Sequence, residues 1–351
     1  MKQILSAFLG LTLLAQQPSK QEDLKITTNI QIVVAPTTVT RPDGTYVSGL
    51  EAKDFKLYDN EKLQVVEQDV SFIPISLVIA VQRSAQMEQV LPTIQKMHTM
   101  VESLILGEQG EVALVGFDHR IDKFCDFTSD ANQFRDALQK LRPGSRTSRM
   151  TDAVIESARM LKTRPNNRRR ILMLVGETKD NGSEGKLKEA LTDIQLSNVI
   201  VYPVNVSRWI NKIMVQDEPP RPSMIPPSAR PFPPGAPQTP TTADQMGARG
   251  YYGSVIPAII EIFNSTKAIF VDNPQEVYAK YSGGTEQGFL NLKGMEQALS
   301  RIGEELHSQY LLSYNPNNKE EGGYHTIRVA VERPGLKVRT RTGYWMAAVP
   351  N

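Results

Sequence analysis

The feature that most constrains the fold is a buried strand that runs directly into a polar loop. Residues 77–81 (LVIAV) are all apolar, and the polar stretch QRSAQ follows at 82–86. Such a continuous apolar run is typical of a parallel strand with both faces covered. Open α/β folds keep their ligand sites beyond the carboxyl ends of parallel strands. The stretch therefore predicts a central sheet that carries a polar loop at its functional edge.

Beyond this strand, strand-like and helix-like segments alternate along the chain. Strand patterns lie at 75–81, 111–117, 170–176 and 199–206, and helix patterns at 87–105, 130–141, 151–161, 185–195 and around 292–306. Strands separated by helices of about 10–15 residues indicate a parallel sheet with right-handed crossovers. The expected fold class is α/β, with a doubly wound, mostly parallel, Rossmann-like sheet.

The segments on either side of this pattern look all-β. Residues 24–72 are rich in β-branched residues and turn signals, which predicts a small N-terminal β-sandwich-like module with a hairpin corner at Asp59-Asn60-Glu61. Three further β runs begin at Gln309, and a polar loop between the first two is typical of a hairpin. We expect them to extend the sheet or to pack on the N-terminal module. The resulting units are the β module, an α/β domain at 73–315 and a C-terminal β-hairpin extension at 316–351.

Two segments differ in composition from these units. Lys2 precedes an apolar run from Ile4 to Leu14, which resembles a secretory signal; we expect residues 1–20 to be a signal peptide and the protein to be periplasmic or secreted. No other stretch is long and apolar enough to predict a membrane span. Ten of the 23 prolines lie between Pro219 and Pro240. Since proline joins neither ladders nor helix interiors, 211–250 is expected to be a disordered insertion.

Composition and missing motifs exclude several functions. The net charge is +2, from 40 Lys and Arg against 38 Asp and Glu, so no global field favours nucleic acid as a partner. The sequence contains no G-x-G-x-x-G, no phosphate-binding P-loop and no G-x-S-x-G elbow. The single cysteine, Cys125, forms no disulfide within the chain and no cysteine-based zinc site. We therefore expect no cofactor and no enzymatic activity.

Three polar loops are predicted to meet at one edge of the sheet. The first is 82–86, the second is PGSRTSRMTDAV at 143–154, and the third is GETKDNGS at 176–183. Each follows a predicted strand or opens a helix that faces the strand ends. In a doubly wound sheet such loops converge on one crevice.

The order and spacing of these segments resemble a von Willebrand factor A-type domain. The stretches DFKLYDNEKLQVV, RRRILMLVGETKDNGS and LHSQYLLSYNP, with the tail YHTIRVAVERPGLKVRTRTGYW, are similar to the exported bacterial, acidobacterial-type subfamily. In that subfamily the domain lies between a short N-terminal β module and a C-terminal β-hairpin. The resemblance covers about residues 25–346 apart from the proline insertion. It implies a protein-binding or adhesion module of the cell envelope.

The resemblance also implies a metal-ion-dependent adhesion site. The family pattern takes Asp-x-Ser-x-Ser from the first loop, Thr from the second and Asp from the third, which supply oxygen ligands to Mg²⁺. Two hydroxyls and one carboxylate survive at these positions, so the residues expected on the metal side are Ser84, Ser148 and Glu177. Glutamine replaces the other two residues of the pattern, at 82 and 86, and Thr147 stands beside Ser148 as a substitute.

These replacements predict a degenerate metal site. A divalent cation that gives up water needs compensating negative charge, and one of the two family carboxylates has become the amide of Gln82. Arg83 adds a cation beside the same position. Weak binding of Mg²⁺ or Ca²⁺, with help from Asp152 or Asp180, remains the alternative. The expected partner-binding residues are Gln82, Arg83, Ser84, Gln86, Thr147, Ser148 and Glu177, with an unidentified protein as partner.

Two further hypotheses belong to other functional classes. A metal-dependent hydrolase would use Glu177 with the loop that holds Asp118 and His119, and requires these groups to lie within a few ångströms or to share a water. A scaffold would act through the proline-rich loop as a ligand for a proline-recognising groove.

Overall fold

The structure, a computed structural model, describes residues 32–69, 73–103, 107, 109–165, 167–211 and 273–346. The expected signal peptide and nearly all of the proline-rich insertion lie outside these residues.

In chain order the strands are β1 (Val33–Thr40), β2 (Phe55–Asp59), β3 (Lys62–Gln64), β4 (Val66–Asp69), β5 (Ile75–Gln82), β6 (Glu111–Phe117), β7 (Ile121–Thr128), β8 (Arg169–Gly176), β9 (Val199–Asn205), β10 (Gln287–Gly288), β11 (Tyr310–Tyr314), β12 (Gly323–Val331), β13 (Lys337–Arg339) and β14 (Gly343–Met346). The helices are α1 (Leu91–Ile94), α2 (His98–Val101), α3 (Ala131–Gln139), α4 (Met150–Lys162), α5 (Leu187–Leu196), α6 (Pro274–Ser282) and α7 (Leu292–Ser308).

The central sheet has six strands in the order β10-β9-β8-β5-β6-β7. All neighbouring pairs are parallel except β6 and β7. The expected α/β class with a mostly parallel sheet is confirmed. The register places Gln82 beside Phe117, and Gly176 beside Asn205, so four strands end at one edge. That edge is the carboxyl edge referred to below.

Strand β5 shows why the sheet is covered on both faces. Leu77 and Ile79 are fully buried in one apolar cluster, which includes residues of α1, α2, α3 and α7. Val78 and Ala80 point the other way, into a cluster with α4, α5 and α6. Because side chains alternate along a strand, a strand between two helical layers is apolar at every position. The apolar run at 77–81 therefore follows from its central place in the sheet.

Two helical segments differ from the sequence expectation. The continuous helix expected at 87–105 is broken into α1 and α2, because Lys96 and Met97 donate to carbonyls three residues back rather than four. Its apolar face is nevertheless buried as expected, with Ile94 and Val101 fully inaccessible. Helix α6 was not predicted at all.

The N-terminal and C-terminal strands build two four-stranded sheets together. One has the order β13-β1-β11-β4 and the other β14-β12-β2-β3. A shared apolar cluster includes Leu57 and Val329 of one sheet and Leu312 of the other. The two sheets with this cluster are termed the β-sandwich below. Of the two placements expected for the terminal runs, packing on the N-terminal strands is observed. The hairpin expected between the first two runs is wrong: β11 and β12 lie in different sheets, because each pairs with an N-terminal strand.

Candidate functional site

Hydrogen bonds join the three polar loops at the carboxyl edge. The first loop contacts the second through Ala85 N, which donates to the carbonyl of Ser145 at 2.8 Å. The second contacts the third through Ser148 N, which donates to Asn181 Oδ1 at 2.7 Å, and Asn181 N donates back to Ser148 O at 3.2 Å. The loops that the sequence assigns to one crevice are thus neighbours in the structure.

The side chain of Gln82 lies at the centre of this arrangement. Its Oε1 accepts the backbone N–H of Glu177 at 2.7 Å. Since an N–H group only donates, this contact fixes the orientation of the amide and turns Nε2 to the other side. There Nε2 donates to Ser84 Oγ at 2.7 Å and to Glu177 Oε2 at 3.2 Å. The amide therefore ties together the two oxygens that the family pattern would turn to a cation.

Gly176 makes room for this amide at the end of β8. A Cβ added there would lie 2.7 Å from Gln82 Oε1 and 3.0 Å from Gln82 Cβ. From the side of α6, Gln275 donates through Nε2 to the carbonyls of Gly176 at 3.2 Å and Glu177 at 2.9 Å. The turn after β8 is thus held from both sides, and Glu177 is presented in one position.

The predicted site residues differ in accessibility. Gln82, Ser84 and Ser148 are 1%, 0% and 3% exposed, so they lie beneath the surface. Glu177, Thr147 and Gln86 are half-buried and lie nearer the solvent. The hydroxyl of Ser148 and Oε1 of Gln86 are buried atoms without a hydrogen-bond partner in the described part of the chain.

Arg83 is part of the neighbouring ion-pair cluster. Its guanidinium lies 2.5 Å from Asp122 and 3.6 Å from Asp118, and stacks over the ring of Phe124. Burial would raise the pKa of Asp118, but backbone N–H donors from Arg120 and Ser145 and the charge of Arg83 hold that pKa below its usual value. The charge of Arg83, expected beside the metal position, is thus compensated by acidic neighbours.

The donor set at the carboxyl edge does not fit a divalent cation. Glu177 contributes the one carboxylate, and the amide N–H₂ that faces it cannot serve as a ligand. Asp180 accepts the backbone N–H groups of Thr151 and Ser183, at 2.8 and 3.2 Å. Asp152 accepts those of residues 184 and 185. Among the described residues, no three His, Cys, Asp or Glu side chains are grouped so that they could hold a metal ion.

The groups required for a hydrolase are engaged separately. The described hydrogen bond of the Glu177 side chain is to Gln82. The carboxylate of Asp118 accepts backbone N–H groups of Arg120 and Ser145 and contacts His119 Nδ1 at 3.1 Å. A carboxylate with its lone pairs committed to backbone donors is a weak general base. In the described part of the chain, no hydrogen bond joins Glu177 to Asp118 or His119.

Sequence reasoning missed two residues that build the site. Gln275 supports the turn after β8, and Asn181 links the second and third loops through its side chain. A signal for the first was present: Asn273 caps α6 by accepting Glu276 N, and Pro274 occupies the first turn. Asn followed by Pro is a helix-start pattern. No comparable signal distinguishes Asn181 from an ordinary loop asparagine.

Comparison with known proteins agrees with this architecture. Residues 77–178 match the family model of the von Willebrand factor type A domain, and the α/β part has the corresponding fold. No curated protein matches the chain.

Several solved structures are similar at low identity. An aerotolerance-related membrane protein from Bacteroides fragilis is 14% identical, with 66% of this chain and 99% of that chain covered and a TM-score of 0.42. The conserved hypothetical protein BatB from Bacteroides thetaiotaomicron is 16% identical, with 38% and 66% covered and a TM-score of 0.31, so the match spans just under two thirds of BatB. The VWA domain of SpRpn10 is 14% identical, with 38% and 76% covered and a TM-score of 0.33. Of the helices that the structure describes, none combines the length and apolar character needed to cross a bilayer.

Proposed function

We propose that the chain is a protein-binding module of the von Willebrand A type, whose carboxyl edge contacts a protein partner without a bound divalent cation. Domains that match this family generally act as interaction modules rather than enzymes. The degenerate site, the partner-binding role of the loops and the non-enzymatic reading are parts of one proposal. The observation that supports this proposal is the position of the Gln82 amide.

In this proposal the Gln82 amide joins the first and third loops, which the bound cation joins in the family pattern. In an adhesion site of this family, a cation draws the first and third loops together through their oxygens. Here Nε2 of Gln82 bonds Ser84 and Glu177, and Oε1 takes the backbone N–H of the third loop. A hydrogen bond between neutral groups contributes about 0.5–1.5 kcal/mol, and one to a charged acceptor, here Glu177 Oε2, about 1.5–3 kcal/mol. The loops are therefore held without a metal, and partner binding would not depend on metal supply.

Metal titration tests this proposal. The metal-stripped protein is titrated with Mg²⁺, Ca²⁺ and Mn²⁺ by calorimetry, beside the double variant Gln82→Asp with Gln86→Ser. We expect no saturable signal from the natural protein and a saturable one from the variant, at about millimolar metal or tighter, because the change restores a second carboxylate and a hydroxyl. The metal should also raise the melting temperature of the variant.

Gln64→Asp provides the matched control. Gln64 is also buried, but it binds Asn317 in the β-sandwich, remote from the loops. This variant should gain no metal binding. Saturable binding by the natural protein would refute the ion-independent site, and failure of the double variant to gain any would remove the assigned role of Gln82.

We also propose that the protein is exported, as a member of the exported subfamily that the sequence resembles, with residues 1–20 as signal peptide and the two β regions as appendages of the α/β domain. The support is the apolar run at 4–14, which follows Lys2. Mass spectrometry of protein purified from the producing cell's envelope or medium should give a mature chain that begins after about residue 15–20. An intact N-terminus in the cytosolic fraction alone would contradict export.

A further inference from the structure

The accessible part of the carboxyl edge is positively charged, whereas a carboxylate site without its metal would be negatively charged. Gln82, Ser84 and Ser148 are almost fully buried, so a partner meets the residues above them. The exposed positions on the second and third loops include Arg146 and Lys179. These cations, rather than the buried family positions, define what the surface can recognise.

Two exposed cations, Arg146 and Lys179, lie on the second and third loops, and a third, Arg208, lies in the helical segment that follows β9. Arg146 precedes Ser148 by two residues, and Ser148 is bonded to Asn181 of the third loop. Lys179 and Arg208 flank another contact, in which Thr178 N donates to Ser207 Oγ at 3.2 Å. Among the described residues, no hydrogen bond or ion pair engages the side chains of Arg146, Lys179 or Arg208. They form what we term the cationic rim.

The acidic residues of the second and third loops, and those of the neighbouring turn between β6 and β7, are already engaged. Asp118 and Asp152 accept backbone N–H groups and lie beside Arg83 and Arg149, respectively. Asp180 accepts two backbone N–H groups. Glu184 lies 3.3 Å from Arg149. Glu177 is the remaining acid of the three loops, and Glu88 follows the first loop. These two carboxylates stand against three cations, so the accessible charge of the rim is positive although the whole chain carries only +2.

A second observation is an unpartnered buried hydroxyl on the second loop, close in sequence to Arg146. The Ser148 hydroxyl is buried and has no partner in the described part of the chain. Buried hydroxyls are nearly always hydrogen-bonded, and an unsatisfied one destabilises the folded state. It lies two residues from Arg146, beside the backbone contact with Asn181 that joins the second and third loops.

We propose that the cationic rim binds an acidic segment of a protein partner directly, through Arg146, Lys179 and Arg208. This inference rests on the proposed function and adds the chemical class of the partner. Guanidinium and ammonium groups recognise carboxylates without a bridging ion. A nucleic acid is less well matched, because its binding needs an extended track of cations, and the chain's near-neutral charge provides no such field.

The test uses the full chain in the presence of a chelator. Three fluorescent probes are compared by anisotropy: a ten-residue peptide of Asp, Glu, Gly and Ser, the same peptide with Asn and Gln in place of the acids, and a single-stranded oligonucleotide of matched charge. We expect the acidic peptide to bind best. Each of Arg146→Gln, Lys179→Gln and Arg208→Gln should weaken it about two- to fivefold, and the triple variant at least about tenfold.

A triple variant of equal charge change serves as control. Lys96→Gln, Lys162→Gln and Arg301→Gln remove exposed cations that lie elsewhere on the α/β part, and should weaken binding less than twofold. Equal binding of the acidic and amide peptides, equal effects of the two triple variants, or preference for the oligonucleotide would overturn the acidic-partner assignment while the metal titration still judged the proposed function. Peptide binding that appears only with added Mg²⁺ would instead overturn the ion-independent site.

Discussion

At the scale of single residues, a buried carboxylate that needs several hydrogen-bond donors lies outside the crevice. Asp59 is fully buried in the β-sandwich and accepts four hydrogen bonds, from Tyr344 at 2.6 Å, His325 at 2.6 Å, Tyr314 at 2.9 Å and Asn318 at 3.1 Å. These partners come from β14, β12, β11 and the loop between β11 and β12. The carboxylate therefore joins both sheets at one point.

Replacement of this carboxylate should destabilise the fold strongly. We expect Asp59→Asn to lower the free energy of unfolding by about 3 kcal/mol, because the amide has no charge and turns a donor toward groups that are themselves donors. Urea denaturation at neutral pH measures the loss. Asp136→Asn, on exposed surface, should change stability by less than about 0.5 kcal/mol. Equal effects of the two changes would show that the network contributes nothing.

The same residue predicts how stability depends on pH. Burial would raise the pKa of Asp59, but the hydrogen bonds from His325, Tyr344, Asn318 and Tyr314 hold it below the usual value of 3.8. A carboxyl whose pKa is lower in the folded state stabilises the protein fully above the unfolded-state pKa, and this contribution is lost as pH falls through the folded-state pKa. The natural protein should therefore lose stability below about pH 4, and Asp59→Asn should lose less over the same interval. A parallel decline in both would contradict this assignment.

At the scale of elements, the contact between the carboxyl ends of β5 and β8 depends on Gly176. Its α-carbon leaves space for the Gln82 amide, and an added methyl group would lie 2.7 Å from Oε1. We expect Gly176→Ala to cost about 1–3 kcal/mol of stability, since a packed site resists overpacking. Gly288→Ala is the control, because the nearest atom to its added Cβ lies at 3.8 Å. Denaturation curves compare the two; a cost for Gly288→Ala as large as that for Gly176→Ala would mean that the contact with Gln82 does not limit the turn.

The central elements could be predicted because their patterns are local. Apolar runs such as 77–81 and the periodicity of α7 indicate burial directly, so the positions of the central strands and the buried helix faces follow from them. The order of the strands within the sheet was not predicted. Helix α3 lies within the pattern expected at 130–141, and Asp130 caps it by accepting the N–H groups of Asn132 and Gln133. Helix α6 was missed although Asn273 and Pro274 form a helix-start pattern. The break between α1 and α2 depends on hydrogen bonds three residues apart, which apolar spacing does not encode.

The site could be predicted only to the level of its loops. The positions of the three loops at strand ends predicted that they lie close together, and hydrogen bonds join them in the structure. The orientation of the Gln82 amide depends on the backbone of a residue 95 positions away. No local pattern contains that information. The partner-binding role of the predicted residues stays a prediction.

At the scale of the whole molecule, the β-sandwich and the α/β part are joined by polar contacts. Arg339 of β13 donates to the carbonyls of Gly283 and Gly284, at 2.8 and 2.7 Å, and lies 2.7 Å from Glu305 of α7. Gln195 of α5 accepts the backbone N–H of Trp345 at 2.7 Å. Since the sandwich combines strands from both ends of the described chain, these contacts fix chain ends to the core.

The Arg339 contact predicts how the two parts unfold. The Glu305 carboxylate is 5% exposed, so loss of its cation leaves a buried charge whose remaining hydrogen-bond donors, among the described residues, are the hydroxyls of Tyr202 and Thr285. We expect the natural protein to unfold in a single calorimetric transition. Arg339→Gln should lower the free energy of unfolding by about 2 kcal/mol and broaden or split that transition. Arg333→Gln, whose exposed side chain lies 3.5 Å from Asp54, should leave that transition unchanged. Two separate transitions in the natural protein itself would show that the parts unfold independently and that Arg339 does not couple them.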